Sequence, residues 1–291
     1  MALPNIQDYY VPGTRQEAVE LLGKFGENAM LVAGGTFVHG LEVRGVLGEI
    51  EALIDIGQLG LAGIRSEDGK LVVGATTNFG EIQAHADIAS APHYAAIIDA
   101  LTYPPAQIIN VGTIGGCIAA SAPLYDLPCA LSALDASLRI NGGNGAREVA
   151  LGEFFTGLFE NVLASNELIT EVVLPAAPAN TASAFLKLET NANDLAIVNL
   201  AVRLTVDSAG NCADTRVYVG GGIGESYARA VSAEAVLNGA PAEAASFDAA
   251  SEAVVNDIEP VDDHRASAAY RAHIVKVYTR RCLATALERL G

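Results

Sequence analysis

A chain of 291 residues, 51% of them apolar, is long enough for two packed domains and too apolar to be disordered. Its net charge of −17 argues against a nucleic-acid binder, whose affinity comes from Lys and Arg on phosphates, and against docking on anionic membrane. Nowhere do about eighteen apolar residues run without a charge or turn signal, so no membrane span is expected.

The first residues, MALPNIQDYYVPGT, lack the basic and apolar regions of a secretory leader, and a cytoplasmic protein is expected. Thr14-Arg-Gln-Glu17 is a capping box ahead of Ala18, Val19, Leu21 and Leu22; it predicts a helix that stops near Gly23 and Gly26. Residues 29–33 read as a short buried strand running into Gly34-Gly35-Thr36. The apolar runs 52–56 and 71–75 predict two more strands, and helical patterns follow around 78–84 and 90–101. Residues 102–127 have no clear periodicity and carry Pro104-Pro105 and Gly112-Thr-Ile-Gly-Gly116. A structureless loop of that length inside a domain is usually functional. Asp126 sits where the N-cap of a helix over 127–135 would be. Strands over 137–140 and 147–151 flank NGGNGA, a hairpin turn.

After a strand over 168–174, PAAPAN (175–180) marks a domain boundary and divides the chain into 1–175 and 176–291. Three strands are predicted beyond it, over 182–188, 196–206 and 213–219, the last two joined by DSAGN. Helices follow over 228–237, 243–256 and 264–290. A meander backed by helices makes the second domain α+β.

Two glycine loops dominate the first domain, Ala33-Gly-Gly-Thr36 and Thr113-Ile-Gly-Gly116. Paired glycines let backbone amides converge on an anion, and the threonine adds a hydroxyl donor. Two such loops could hold the two phosphates of a dinucleotide; each could equally be a tight turn. Neither is a G-x-G-x-x-G or P-loop motif. Gly220-Gly-Gly222-Ile-Gly224 reads as a turn at a strand end. Cys117, Cys129, Cys212 and Cys282 are scattered without a C-x-x-C pair, so each is expected to be a small hydrophobe and no iron–sulfur cluster is expected on this chain. The five histidines form no H-E-x-x-H pattern, and no G-x-S-x-G elbow occurs, which leaves a hydrolase unsupported.

The stretch Leu31-Val32-Ala33-Gly34-Gly35-Thr36-Phe37-Val38 resembles the first FAD loop of the molybdenum hydroxylases, the family of xanthine dehydrogenase and aerobic carbon monoxide dehydrogenase. Asn110-Val-Gly-Thr-Ile-Gly-Gly116, continuing through Ala122-Pro-Leu-Tyr-Asp126, resembles the second. Asp194-Leu-Ala-Ile-Val198, Ser267-Ala-Ala-Tyr-Arg271 and Arg280-Arg281 resemble the C-terminal flavoprotein domain of that family, so the likeness covers nearly the whole chain.

The resemblance implies an α+β fold: a two-subdomain FAD-binding domain of the PCMH (vanillyl-alcohol-oxidase-like) type, then a smaller α+β domain with a three-stranded antiparallel sheet and helices. It implies an electron-transfer subunit with FAD on this chain. A large partner would carry the molybdopterin cofactor and a small partner the 2Fe-2S clusters, in a paired heterotrimer. Leu31 to Val38 would wrap the diphosphate with backbone amides, and Thr113, Gly115 and Gly116 would form the other wall. Asp126 would bond the flavin or its ribityl chain, Tyr103 would stand near the dinucleotide, and Leu168 and Lys187 would contact the flavin. A cation at Lys187 favours the reduced, negatively charged ring. Cys117 stands where the family usually has Asn, and Thr190 and Asn191 stand where it tends to carry Arg, which leaves the electron acceptor open. Taken without the resemblance, Asp126 fits a plain N-cap, Lys187 an outward strand position and Tyr103 simple packing. Two other functions fit the same residues: a self-sufficient FAD-dependent oxidoreductase, and an adaptor that keeps the fold without flavin.

Overall fold

The computed structural model describes residues 6–43, 47–176, 178–191 and 194–291. Residues 1–5, part of the stretch read for a leader, and Ala177 of the PAAPAN linker lie outside the described residues.

The chain folds as three successive units. The first holds strand β1 (Asp8–Tyr10), helix α1 (Arg15–Phe25), β2 (Ala29–Val32), α2 (Thr36–Val43) and β3 (Ala52–Asp55). Its strands form a small parallel sheet in the order β1-β3-β2. Thr14 caps α1 by accepting from the Glu17 amide at 3.2 Å, while the Glu17 carboxylate takes the Gly13 amide at 2.8 Å. The helix ends on Gly26, whose φ of 56° lies in the left-handed region that favours glycine.

The second unit runs from β4 (Ile64–Glu67) and β5 (Lys70–Gly74) through six short helices to a hairpin and a returning strand. The helices are α3 (Phe79–Ala84), α4 (Ala86–Ala89), α5 (Ala95–Ala100), α6 (Ala106–Ile109), α7 (Ile114–Ala119) and α8 (Asp126–Ala133). Then come β6 (Ser137–Gly142), β7 (Gly145–Ala150), the two short strands β8 (Phe155–Gly157) and β9 (Glu160–Asn161), and β10 (Glu167–Leu174). The strands other than β8 and β9 form an antiparallel sheet ordered β4-β5-β10-β6-β7. One face of it packs on the helices through Val73, Leu138, Ile140 and Val172, all fully buried.

The third unit is the antiparallel sheet β11 (Thr181–Leu188), β12 (Val198–Val206), β13 (Cys212–Gly221) and β14 (Ala228–Arg229), with α9 (Val231–Leu237), α10 (Ala244–Ala253) and α11 (Ala268–Glu288). Strand β12 is buried along nearly its whole length because both faces are covered. Helix α11 lies on one side, using a stripe of Val275, Thr279, Cys282, Leu283 and Ala286. On the other side α5 and α8 reach across from the second unit, and their Ala96, Ala100, Cys129, Ala130 and Ala133 meet Phe185, Ala201 and Tyr218. Small residues allow that close approach. Arg289 of the third unit also grips Asp99 of the second with both guanidinium nitrogens, at 2.7 and 2.8 Å.

Four expectations from the sequence need correction. The helix read over 90–101 is broken by Pro92, which starts a single tight turn, and α5 begins only at Ala95. Residues 102–127 are not structureless but hold α6, α7 and the start of α8. The helix read from Ala228 starts at Val231, because Ala228 and Arg229 pair with Val219 and Tyr218 as a fourth, two-residue strand. Asp126 is the first residue of α8 and not its N-cap: Tyr125 holds the cap position, and no side chain bonds there. No helix among the described residues is long and apolar enough to cross a membrane.

Candidate functional site

A cavity of about 680 Å3 opens where the three units meet. Its volume falls within the roughly 300–1,000 Å3 of sites for small molecules and cofactors, and its walls are mostly apolar. Four stretches build it.

The first glycine loop leaves β2 at Val32, whose carbonyl accepts the Ile56 amide at 2.9 Å and ends the parallel pairing. Gly35 follows with φ 70°, and Thr36 opens α2. The amides at the start of a helix have no partner within it. Those of Gly35, Thr36 and Phe37 find no acceptor among the described residues, and all three residues line the cavity. The loop therefore offers donors and the positive end of a helix dipole to an anion.

The second glycine loop is built differently. Thr113 caps α7 by accepting from the Gly116 amide at 3.2 Å, and the Gly115 amide donates to the Ala75 carbonyl at 2.8 Å. A Cβ on Gly115 would sit 2.7 Å from the Cβ of Ala75. These glycines thus serve close packing of α7 against the end of β5, and their amides are already taken. The loops touch: a Cβ on Gly34 would lie 1.8 Å from the Val111 carbonyl oxygen.

The third stretch is Tyr103-Pro104-Pro105, which leads into α6 and supplies one apolar wall. The fourth is a buried polar cluster joining the second and third units. Lys187 on β11 is 8% exposed, and its Nζ lies 3.0 Å from Asp126 Oδ2. Glu189 Oε2 stands 3.1 Å from the same nitrogen, a charge contact without hydrogen-bond alignment. Asn199 of β12 donates to Asp126 Oδ1 at 3.2 Å and to the Tyr125 carbonyl at 3.0 Å, while its own Oδ1 has no partner among the described residues. The Tyr103 hydroxyl accepts the Lys187 amide at 3.2 Å, and the ammonium lies 5.1 Å from the Tyr103 ring centroid. Burial pushes the Asp126 carboxyl up to about 6, against the pull of Lys187 and Asn199. Above that the carboxylate and ammonium form a desolvated pair on the cavity wall.

The structure brings together fifteen of the sixteen residues singled out from sequence: Leu31, Ala33, Gly34, Gly35, Thr36, Phe37, Val38, Tyr103, Thr113, Gly115, Gly116, Cys117, Asp126, Leu168 and Lys187 all line the cavity. Val32 does not line it. Its neighbours Met30, Leu31 and Ala33 do, while the Val32 carbonyl is taken by the Ile56 amide. Lys187 points inward, not outward, and the Tyr103 hydroxyl is bonded as well as packed. Cys117 is half-buried on the wall, and burial pushes its thiol well up, so it stands there as a neutral group. The other three cysteines are buried and unpaired. Sequence reading quoted Tyr125 and Leu195 within family-like stretches but gave them no role, and it missed Ile108 and Asn199. Asn199 falls near the start of an apolar strand, VNLAVRL, where a lone buried amide was the available signal.

Residues 4–177 match the family of the FAD binding domain in molybdopterin dehydrogenase. The chain belongs to this family. Residues 183–286 match the C-terminal domain of the CO dehydrogenase flavoprotein. Among its relatives, the 6-hydroxypseudooxynicotine dehydrogenase complex subunit alpha of Paenarthrobacter nicotinovorans is 33% identical, over 97% of this chain and 95% of that one. The carbon monoxide dehydrogenase medium chain of Hydrogenophaga pseudoflava is 31% identical, over 99% of both. A chain of a solved carbon monoxide dehydrogenase from that organism, lacking the Mo-pyranopterin moiety of its molybdenum cofactor, superposes with a TM-score of 0.92 at 32% identity, over 99% of both chains.

The residues of this flavoprotein-family member fit FAD. Acceptor-less amides at the first glycine loop suit a diphosphate, apolar walls suit aromatic rings, and the polar cluster of Lys187, Asp126 and Asn199 supplies the few polar groups that orient such a ligand.

Proposed function

We propose that this chain is the FAD-binding, electron-transferring subunit of a molybdenum hydroxylase or dehydrogenase complex. A large partner would carry the molybdopterin cofactor and a small partner the 2Fe-2S clusters, in a paired heterotrimer in the cytoplasm. One observation carries the reading: acceptor-less amides at Gly35, Thr36 and Phe37 open onto a cavity that also holds the Lys187–Asp126 pair.

Bound FAD supplies a junction that takes up electrons singly and passes them on singly or in pairs. The work of the chain is to hold it. The stretch from Leu31 to Val38 would wrap the diphosphate, with amides donating and Gly35 supplying the left-handed turn. Thr113, Gly115 and Gly116 would form the facing wall, fixed by their bonds to one another and to Ala75. Tyr103, Leu168 and Cys117 would line the ring-binding space. Asp126 would accept from a hydroxyl or ring N–H, and Lys187 would hold positive charge in a place closed to water. No acid–base pair is required for electron transfer, and the Lys187–Asp126 pair acts through its field. The FAD-binding domain is taken to end at residue 175, supported by the passage from one sheet to the next between Leu174 and Thr181.

The test is the visible spectrum of the chain purified from its own host with whatever accompanies it, followed by acid release of the flavin. Releasable FAD together with iron–sulfur absorption from bound partners is expected. FAD without partners would favour a self-sufficient oxidoreductase, and a colourless protein that refuses added FAD would leave the adaptor.

A further inference from the structure

The motif Ser267-Ala-Ala-Tyr-Arg271 has no part in the cavity itself, yet its arginine is the largest fully buried side chain among the described residues. A fully buried guanidinium is costly unless its donors are used. Arg271 uses one nitrogen on the segment that runs from the cavity into β12 and another on a carboxylate in the turn before α11. Its NH1 donates to the Ile197 carbonyl at 2.5 Å, and its NH2 lies 2.5 Å from Asp263, a charge contact without hydrogen-bond alignment. Its Nε has no hydrogen-bond partner among the described residues. Room for it exists only because residue 222 is glycine, where a Cβ would come within 2.1 Å of NH1.

Arg265 completes the arrangement. Its NH1 donates to the Ala196 carbonyl at 3.1 Å, and its NH2 to Asp194 Oδ2 at 2.9 Å and to the Leu195 carbonyl. Asp263 ties the two arginines together, since it also accepts the amides of Arg265 and Ala266. Two guanidinium groups thus take acceptors from four consecutive residues, 194 to 197. The segment is pinned from its other side by the Ala196 amide on the Leu124 carbonyl, at 3.3 Å, and the Ile197 amide on the Leu188 carbonyl, at 2.8 Å. Asp194, Leu195 and Leu124 all line the cavity. Against the upward push of burial, the Leu195 amide and Arg265 hold the Asp194 carboxyl below its ordinary value, so it stays charged and seated on its cation.

We infer that Arg265 and Arg271 are positioning residues for FAD: they clamp residues 194–197 and so hold Asp194 and Leu195 as a fixed wall of the cavity. The inference rests on the FAD reading above and adds that this wall is set from helix α11 and the turn before it, through residues that never reach the cavity. Pre-positioned walls bind more tightly because their ordering is not charged against the ligand. Lysine cannot replace Arg265, because a single ammonium cannot cover three diverging oxygens as a planar fork does.

The test uses the full chain and FAD itself, with Arg265→Gln, Arg265→Lys, Asp194→Asn, the double variant Arg265→Gln/Asp194→Asn, and Arg280→Gln as control. Arg280 sits on the same helix in an exposed pair with Asp248 and touches none of this. FAD affinity is read by quenching of flavin fluorescence, and protease cutting within 188–197 is read with and without FAD. Arg265→Gln and Arg265→Lys should each weaken FAD about tenfold, and the double variant should be no weaker than Arg265→Gln alone. Cutting should rise in the FAD-free variants, while their melting temperature stays near that of the parent. Arg280→Gln should behave as the parent. Parent-like affinity and cutting in Arg265→Gln, while the parent itself binds FAD, would overturn the clamp alone. Failure of the parent to bind FAD would overturn the functional reading and the clamp with it. Should Arg265→Gln not fold, Asp194→Asn carries the same comparison, with unchanged affinity and cutting overturning the clamp.

Discussion

The two glycine loops look alike in sequence and do opposite things. In Gly34-Gly35-Thr36 the amides from Gly35 to Phe37 are left without acceptors at the start of α2. In Thr113-Ile-Gly115-Gly116 the threonine caps α7, and both glycine amides are already bonded. One loop presents donors, and the other lets backbone approach backbone. A glycine pair in a sequence states only that Cβ atoms are unwelcome. Whether the reason is a ligand or a neighbouring strand depends on where the amides end up.

The largest expected effect lies where the loops meet. Gly34→Ala places a methyl group 1.8 Å from the Val111 carbonyl oxygen, a backbone atom that cannot move alone. The loops must part, and the first loop's amides are displaced from their place on the cavity wall. We expect FAD affinity to fall on the order of 100-fold, the loss of one or two charge-assisted hydrogen bonds. Folding stability should fall by about 1–3 kcal/mol. A flavin titration and a urea unfolding curve on the same variant check both; unchanged FAD binding would show that the first loop is only a turn.

A smaller effect sharpens the contrast between the glycine walls and the charged one. Burial raises the Asp126 carboxyl to about 6. A carboxyl raised on folding favours the folded state while it is protonated, and that contribution is lost as pH rises from its unfolded value of about 3.9 through its folded one. Asp126→Asn removes this titration. The difference in stability between variant and parent should therefore move toward the variant by roughly 1–3 kcal/mol between about pH 4 and about pH 6.5. Urea midpoints at the two pH values read it, and a difference that stays flat would mean the carboxyl titrates normally.

The smallest effect separates the loops most cleanly. Thr113→Ala removes the cap of α7 and should cost about 1 kcal/mol of stability. FAD affinity should change by less than about threefold, since no amide is turned away from the cavity. A much larger loss of FAD would mean that the Thr113 hydroxyl is itself a ligand donor and that the two loops are alike after all.

Much of this was legible in the sequence, for reasons that differ along the chain. The strands around the cavity stood out because they are continuous apolar runs, and α1 because Thr14 and Glu17 mark its start. Strand β4 did not, since IRSE is largely exposed and owes its shape to pairing with β5. The long segment before Asp126 hid α6 and α7 because helices of four and six residues are too short for a period to show. The site residues were named through resemblance to known flavoprotein loops, whereas their partnerships were not legible at all. Lys187 meets Asp126 across 61 positions, and Asn199 joins them from a third element. Arg265 and Arg271 act from the far end of the chain on residues about 70 positions earlier. The Lys187 and Asn199 bonds to Asp126 need the sheet of the third unit packed on α8, and the arginine contacts need α11 folded back on that sheet.

The central claim is that the cavity between the glycine loops binds FAD, and an equilibrium titration of flavin fluorescence with the full-length chain tests it most directly, with Gly34→Ala run in parallel. Saturable quenching by the parent at one FAD per chain, abolished or strongly weakened in Gly34→Ala, is the predicted result. Quenching that is absent, or equal in parent and variant, would contradict the account.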